Sequence, residues 1–487
     1  MLPVLTPVEM AAADAAAIAA GVSEATLVER AGGAVARGAR RLLGGPYGRR
    51  VVVVCGKGNN GADGRVAARL LTQWGVRVDL IWLFQDLDQS RLARALGRAD
   101  LAIDAMFGTG FRGPMRGDAA AVVAALAEAG CPVLAVDIPS GVDGLTGAID
   151  GPAVRAVATV CFAALKPGLL FEPGASAAGE VEVVDIGVAP HHIGPPLGVI
   201  EEADVAAWLH VRPPESHKWS VGGVYVVAGS AGMTGAARLT SRAALRAGAG
   251  IVVAGLPGPG GPGVSPVIAA AARAPGDEII TRSLPATADG ALDESASKEV
   301  LDGLERFRCA VVGPGLGRAE PTVAAVRRLA GEAPVPVVLD ADGLNAFDGE
   351  VTLLATRPAP TLLTPHDGEY SRLAGEPAGT DRVAAVRRLA ARSGCVVLLK
   401  GSRTVIADPD GQAAINTTGG PWLATAGTGD VLAGMLGAFV ARGTPVFEAA
   451  ASGAFLHGRS ADVAGHAGLV AGDLIDALPA VLGALPS

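Results

Sequence analysis

The chain has 487 residues, half of them hydrophobic and 18% charged, with a net charge of −8. That much apolar material excludes global disorder and allows about two to four domains. The acidic balance, without any Lys/Arg block, weighs against a nucleic-acid partner.

The first twenty residues carry two acids and no base, so they lack the positive start of a signal peptide. The longest uncharged stretch, residues 247–272, is broken by a proline- and glycine-rich run at 256–263, so no membrane helix is expected. Five cysteines (Cys55, Cys131, Cys161, Cys309, Cys395) form no CxxC pair. This spacing suits buried free thiols in a reducing cytoplasm rather than disulfides or zinc.

In the first half, apolar β-branched runs at 51–55, 76–83, 101–105, 133–136 and 156–162 read as strands. Helical segments at 65–74 and 119–130 lie between them, the pattern of a parallel α/β sheet. Proline density at 189–214 reads as a connector. In the second half, strands are expected at 224–228, 251–254, 310–312, 335–339, 361–363 and 396–399. Helices are expected at 236–248, 323–329, 383–392, 431–442 and 447–464.

The loop Gly56-Lys57-Gly58-Asn59-Asn60-Gly61-Ala62-Asp63-Gly64 follows the first strand, and a helix is expected from about Arg65. Its glycines permit positive φ or close backbone approach, and a helix start offers N–H groups to phosphate. The loop is neither a Walker A motif nor GxGxxG. Two further strands end in acids, Asp104 before Phe107-Gly108-Thr109-Gly110-Phe111-Arg112-Gly113-Pro114 and Asp137 before Ile138-Pro139-Ser140. Ligands bind beyond the carboxyl ends of such strands, where Asn60, Asp104, Asp137 and Ser140 would all lie, and oxygen ligands of this type suit a hard cation. Each acid alone could equally cap a loop or helix.

These three loops resemble the epimerase domain of the NAD(P)H-hydrate repair family. The resemblance implies a Rossmann-like three-layer domain over residues 1–206. It implies K⁺ on Asn60, Asp104 and Ser140. The hydrated nucleotide would meet Asn59, Asn60, Gly61, Ala62, Asp63, Gly108, Thr109, Gly110, Phe111, Arg112, Gly113, Pro114 and Asp137. Asp137 would be the acid/base group. Ala62 stands where the family usually has a second glycine, a departure that matters if the position needs positive φ. Lys166 falls where the family has a lysine after a strand; it could also be a surface cation.

In the second half, Ala426-Gly427-Thr428-Gly429-Asp430 precedes an apolar helix. Successive N–H groups there can form an anion hole, and an Asp in that place can take a proton from a hydroxyl as phosphoryl transfer begins. The other reading of Asp430 is an acid that satisfies the helix dipole. The loops at Gly313–Gly317, Asp340–Asn345, Thr364-Pro365-His366-Asp367-Gly368-Glu369 and Lys400–Thr404 also follow strands.

With His217-Lys218, these loops resemble the dehydratase domain of the same family, a ribokinase-like three-layer fold over residues 207–487. The resemblance implies hydrated NADH or NADPH on Ala236, Gly315, His366 and Asp430, with Asp430 catalytic. ADP would lie on Lys400, Gly401, Ser402, Arg403, Thr404 and Gly429, with Mg²⁺ for the transfer. A homo-oligomer is expected. The competing readings are a ribokinase-like small-molecule kinase with a regulatory first domain, and a nucleotide sensor without turnover.

Overall fold

The four valines and a cysteine at 51–55 form strand β1 (Arg50–Cys55), whose residues from Val51 on are buried, as a continuous apolar run requires. The computed structural model describes residues 1–84, 87–209, 214–258 and 278–486. The chain forms two compact units, Leu2–Leu197 and Gly198–Ser487, with Met1 counted in the second. The short helix Glu202–Trp208 already belongs to the second unit, where Val205 enters its core. Residues 210–213 of the expected connector lie outside the described residues, as does the part of the 247–272 stretch beyond 258.

In the first unit, helices α1 (Pro7–Ala19) and α2 (Glu24–Leu43) precede β1. Then follow α3 (Asn59–Gln73), β2 (Arg77–Trp82), α4 (Gln89–Leu96), β3 (Leu101–Ala105), α5 (Gly117–Ala129), β4 (Val133–Val136), β5 (Ala158–Phe162) and β6 (Glu180–Val184). All the strands run parallel, in the order β2-β1-β3-β4-β5-β6. The two-residue period of β1 feeds two cores. Val51, Val53 and Cys55 join α2 and α3, while Val52 and Val54 join α4 and α5. The chain leaves β1 toward β2 and returns to β3, so a crevice opens beyond the carboxyl ends of β1 and β3.

One expectation needs correcting. The helix after β1 begins at Asn59, not near Arg65. Gly58, Gly61 and Gly64 are absent from the positive-φ positions. These glycines permit close approach instead: a Cβ on Gly61 would lie 2.0 Å from the Gly56 oxygen, and one on Gly64 would lie 2.5 Å from Ala105 Cβ. Ala62 is an ordinary helical residue and carries no strain. At Gly56 a Cβ would lie 1.9 Å from the Met106 oxygen. Gly56→Ala must therefore push β1 and β3 apart, and should destabilise the chain by about 1–3 kcal/mol, read as a lower urea midpoint.

From Gly223 onward the strands of the second unit are β7 (Gly223–Val227), β8 (Ile251–Pro257), β9 (Ile280–Leu284), β10 (Cys309–Val312), β11 (Val337–Leu339), β12 (Thr361–Leu363), β13 (Val396–Leu399), β14 (Thr404–Ala407) and β15 (Ala413–Asn416). Their order is β15-β14-β13-β12-β11-β10-β7-β8-β9. Neighbours from β9 to β13 are parallel, and β13-β14-β15 turn back antiparallel. Helices α6 (Thr234–Arg246), α7 (Asp367–Ala374), α8 (Thr428–Ala441) and α9 (Val446–Ala464) matter most for the site. Helix α8 is apolar nearly all round and buried, as its composition demands. It seats directly on α6, where a Cβ at Gly434 would lie 2.1 Å from the Thr240 oxygen. Here too the strand order reverses, between β7 and β10.

Candidate active sites

In the first unit, the loops beyond β1, β3 and β4 surround a cavity of about 720 Å³. Of the expected contacts, Asn59, Asn60, Asp63, Gly108, Thr109, Gly110, Phe111, Arg112 and Asp137 line it. Gly61, Ala62, Gly113 and Pro114 do not. Gly61 serves the packing of α3 instead.

Asp104 and Ser140 lie beneath the cavity, 0% and 1% exposed. Ser140 Oγ donates to Asp104 Oδ1 at 2.6 Å and the Ser140 N–H donates to Oδ2 at 2.7 Å. The Met106 N–H donates to Oδ1 at 3.2 Å. Asn60 Nδ2 donates to the Phe107 carbonyl at 2.9 Å, and Phe107 N–H donates to Ser140 Oγ at 3.0 Å. The three expected cation ligands are thus drawn around one loop. Burial pushes the Asp104 carboxyl up to about 6, against the lowering bonds from Ser140 and Met106.

Asp137 adopts φ 65°, a left-handed conformation unusual for a side-chain-bearing residue. Its backbone N–H donates to the Val160 carbonyl at 2.8 Å. Its Oδ1 faces Lys166 Nζ at 2.5 Å and accepts from Phe162 N–H at 3.2 Å. Lys166 is 0% exposed, so it is not a surface cation. It also donates to the Phe162 carbonyl at 2.9 Å and reaches Cys161 Sγ at 3.4 Å. Burial is the largest influence and pulls the Lys166 ammonium down, but the Asp137 charge, Cys161 and the hydrogen bonds to both together outweigh it, and the net shift is upward. Asp63 is 6% exposed. Burial first, then the charges of Asp137 and Asp14, push its carboxyl up to about 8.

One wall of this cavity was missing from the sequence reading. Met10, Asp14 and Ile18 of α1 and Glu24, Leu27, Val28 and Ala31 of α2 line it. The signal was present: Thr6 and Glu9 form a reciprocal capping box with Pro7 in the first turn. Lys57 and Phe84 also line the mouth, with the Lys57 ammonium 4.6 Å from the Phe84 ring centre.

In the second unit, α8 starts at Thr428, capped by Gly427 at φ 89°. Its first turn leaves the N–H groups of Gly429 and Asp430 without intrahelical acceptors. The space beside Gly429 is bounded by Lys400 and Asp340, which lie 3.7 Å (Nζ) and 3.9 Å (Oδ2) from its virtual Cβ. Lys400 Nζ is 2.8 Å from Asp340 Oδ1 and 3.7 Å from Glu369 Oε2. Asp340 and Glu369 are buried, and Thr364 Oγ1 donates to Asp340 Oδ1 at 2.7 Å. Burial and then the Asp340 charge push the Asp430 carboxyl up to about 6, with Lys400 opposing. Lys400, Gly429 and Asp430 therefore share one site.

His366 caps α7: its Nδ1 accepts from Gly368 N–H at 3.0 Å and Glu369 N–H at 3.3 Å. The cap occupies one ring nitrogen and leaves the ring exposed. Gly315 adopts φ 68° and packs against Ala236, where a Cβ added on Gly315 would lie 3.0 Å from the Ala236 Cβ. Of the expected nucleotide loop, Gly401 and Ser402 are exposed, Arg403 Nη1 donates to the Thr417 carbonyl at 3.0 Å, and Thr404 opens β14. Sequence reasoning named neither Asp340 nor Glu369 as a site residue. It also passed over His457 on α9, whose Nε2 lies 2.9 Å from the Thr428 carbonyl. Burial pulls the His457 imidazole down to about 4, which keeps it neutral.

A family profile described as NAD(P)H-hydrate dehydratase matches residues 224–480, and one described as YjeF-related protein N-terminus matches residues 24–97 and 84–168. The chain is 41% identical to the bifunctional NAD(P)H-hydrate repair enzyme Nnr of Moorella thermoacetica, over 94% of this chain and 92% of that one. It is 42% identical to the protein of the same name from Mycobacterium tuberculosis, over 90% and 89%. A ribokinase-like superfamily protein from Enterococcus faecalis superposes with a TM-score of 0.50 at 23% identity, covering 59% of this chain and 95% of that one. It shares the fold of the second unit.

Proposed function

The chain belongs to the family of bifunctional NAD(P)H-hydrate repair enzymes, an epimerase joined to a dehydratase, and we propose how its own residues divide that chemistry. The epimerase lies in the first unit and the dehydratase in the second, so the join falls at Leu197–Gly198, a few residues before the expected 206/207. The hydrate carries a hydroxyl on the ring carbon next to the ring nitrogen. In the first unit, Asp137 is the acid/base group, and Asn59, Asn60, Asp63 and the Gly108–Arg112 loop hold the nucleotide. The convergence of these loops on one cavity supports this reading.

K⁺ fits beside that cavity. Asp104 is a buried carboxylate without a basic side chain in ion-pair distance among the described residues, with Ser140 Oγ against it and the Asn60 side chain bonded to the same Phe107 loop. Asn60, Asp104 and Ser140 would hold the ion, which would neutralise the buried charge and fix the loop.

In the second unit, Asp430 removes the proton of the ring hydroxyl while the Gly429 and Asp430 N–H groups face the phosphoryl group. ADP lies along Lys400–Thr404 and Gly429. Mg²⁺ also fits, since Asp340 and Glu369 are buried carboxylates facing a single ammonium. They would hold it beside the phosphates, where it would offset charge on the transferring group. Phosphate then leaves as the ring nitrogen donates its electron pair, the neighbouring ring carbon gives up a proton so that the ring double bond forms and the nitrogen recovers its pair, and NADH or NADPH is restored. The observation that carries this reading is the Lys400–Asp340–Glu369 cluster placed against Gly429 at the start of α8.

The protein acts in the cytoplasm as a homo-oligomer. Among the described residues no helix is long and apolar enough to cross a membrane. The test uses both NADH-hydrate epimers with ADP, Mg²⁺ and K⁺, followed by NADH absorbance to completion. Wild type should recover all the NADH, and Asp137→Asn only the share held by one epimer. No recovery from folded protein with ADP or ATP would move the kinase reading forward.

A further inference from the structure

The cavity of the first unit holds a second carboxyl group with an environment opposite to that of Asp137. Asp63 lies in the second turn of α3, 6% exposed, and lines the cavity. Among the described residues no hydrogen-bond donor reaches its carboxyl. The groups that act on it are Asp14 of α1, Asp137 after β4, Cys55 of β1 and Arg65 on its own helix. Asp137 faces the buried Lys166 ammonium instead. Two carboxyl groups whose surroundings differ this way divide into a proton carrier and a proton acceptor.

We propose that Asp63 is the proton donor of the epimerase, acting against Asp137 as proton acceptor. This rests on the epimerase reading of the cavity and adds the second group that inversion requires. The ring carbon–oxygen bond breaks, its electron pair stays on oxygen, and that oxygen takes the Asp63 proton and leaves as water. The ring nitrogen's pair forms the carbon–nitrogen double bond. Water then adds to the other face, gives one proton to Asp137, and the nitrogen recovers its pair. No net proton is consumed, and in the reverse direction the two carboxyls exchange roles.

The carboxyl pushed up to about 8 by burial and by Asp137 and Asp14 keeps its proton at neutral pH and loses it above that value. The forward reaction from the epimer that meets protonated Asp63 should therefore fall as pH rises through about 8.

The test follows inversion of each purified NADH-hydrate epimer by the full chain without ADP, by chromatography, from pH 6 to 9.5. Asp63→Asn keeps the shape of the protonated acid. It should lose about 100-fold or more of kcat with KM within a few-fold, and its residual rate should lack the alkaline fall. A wild-type profile in which neither epimer's rate falls by pH 9 would overturn the proposal without reference to any variant. So would an Asp63→Asn enzyme with wild-type kcat and only a raised KM. If Asp137→Asn has lost activity in that last case, the proposal fails alone. If Asp137→Asn is also wild-type, the epimerase reading of the cavity fails with it.

Discussion

An Asp430→Asn chain should lose about 10²–10⁴-fold in ADP-dependent recovery of NADH from the competent hydrate, while its KM for ADP moves only a few-fold. The side chain's proposed task is to accept a proton, which the amide cannot do, whereas the N–H groups of Gly429 and residue 430 remain to hold the nucleotide. The wild-type rate should show an acidic limb near pH 6. The carboxyl sits that high because of burial and the Asp340 charge, and it acts only after its proton has left. The same shift fixes the sign of the stability effect. A carboxyl raised from 3.8 to about 6 binds its proton more tightly in the folded chain, so stability falls as pH rises through that window. Above it the ionised group opposes folding, and the neutral Asn variant should melt at a higher temperature than wild type. Loss of turnover with a raised melting point separates a missing base from a damaged fold. A variant with wild-type turnover would remove Asp430 from the chemistry.

The parallel strands were legible because burial on both faces leaves unbroken apolar runs. Strands at 101–105, 133–136, 361–363 and 396–399 match the structure residue for residue. The helices α1 and α2 were not legible by apolar runs, since α1 is rich in small alanines and α2 carries four arginines. Only the capping residues Thr6 and Ser23 mark their starts. The antiparallel β14–β15 hairpin was missed although Asp410-Gly411 stands in its turn, because four-residue strands give little periodicity. At the sites, glycine-rich loops announced themselves, but partners distant in sequence did not. Lys166 looks like any lysine until β5 brings it against Asp137. Asp340 and Lys400 meet across 60 residues only because β11 and β13 flank β12.

Lys166→Met should cost about 3–5 kcal/mol of stability, because removing one partner of a buried pair strands the other's charge. Met fills much of the lysine's volume, so the loss reports charge rather than a cavity. Lys166 is wholly enclosed and its ammonium is held by Asp137 Oδ1 and the Phe162 carbonyl, so the substitution takes a donor from both oxygens. Epimerisation should fall with it, since Asp137 loses the group that fixes its carboxylate in the left-handed turn. The double variant Lys166→Met/Asp137→Asn tests this cause. Asparagine tolerates the φ 65° of position 137 and carries no charge to strand. It should regain much of the lost stability in urea melts while recovering no epimerisation. The double-mutant cycle would then give a coupling of the size of the single loss. An additive double variant would mean that the pair is not coupled in the fold, and that Lys166 stabilises the unit only through its packing against β5.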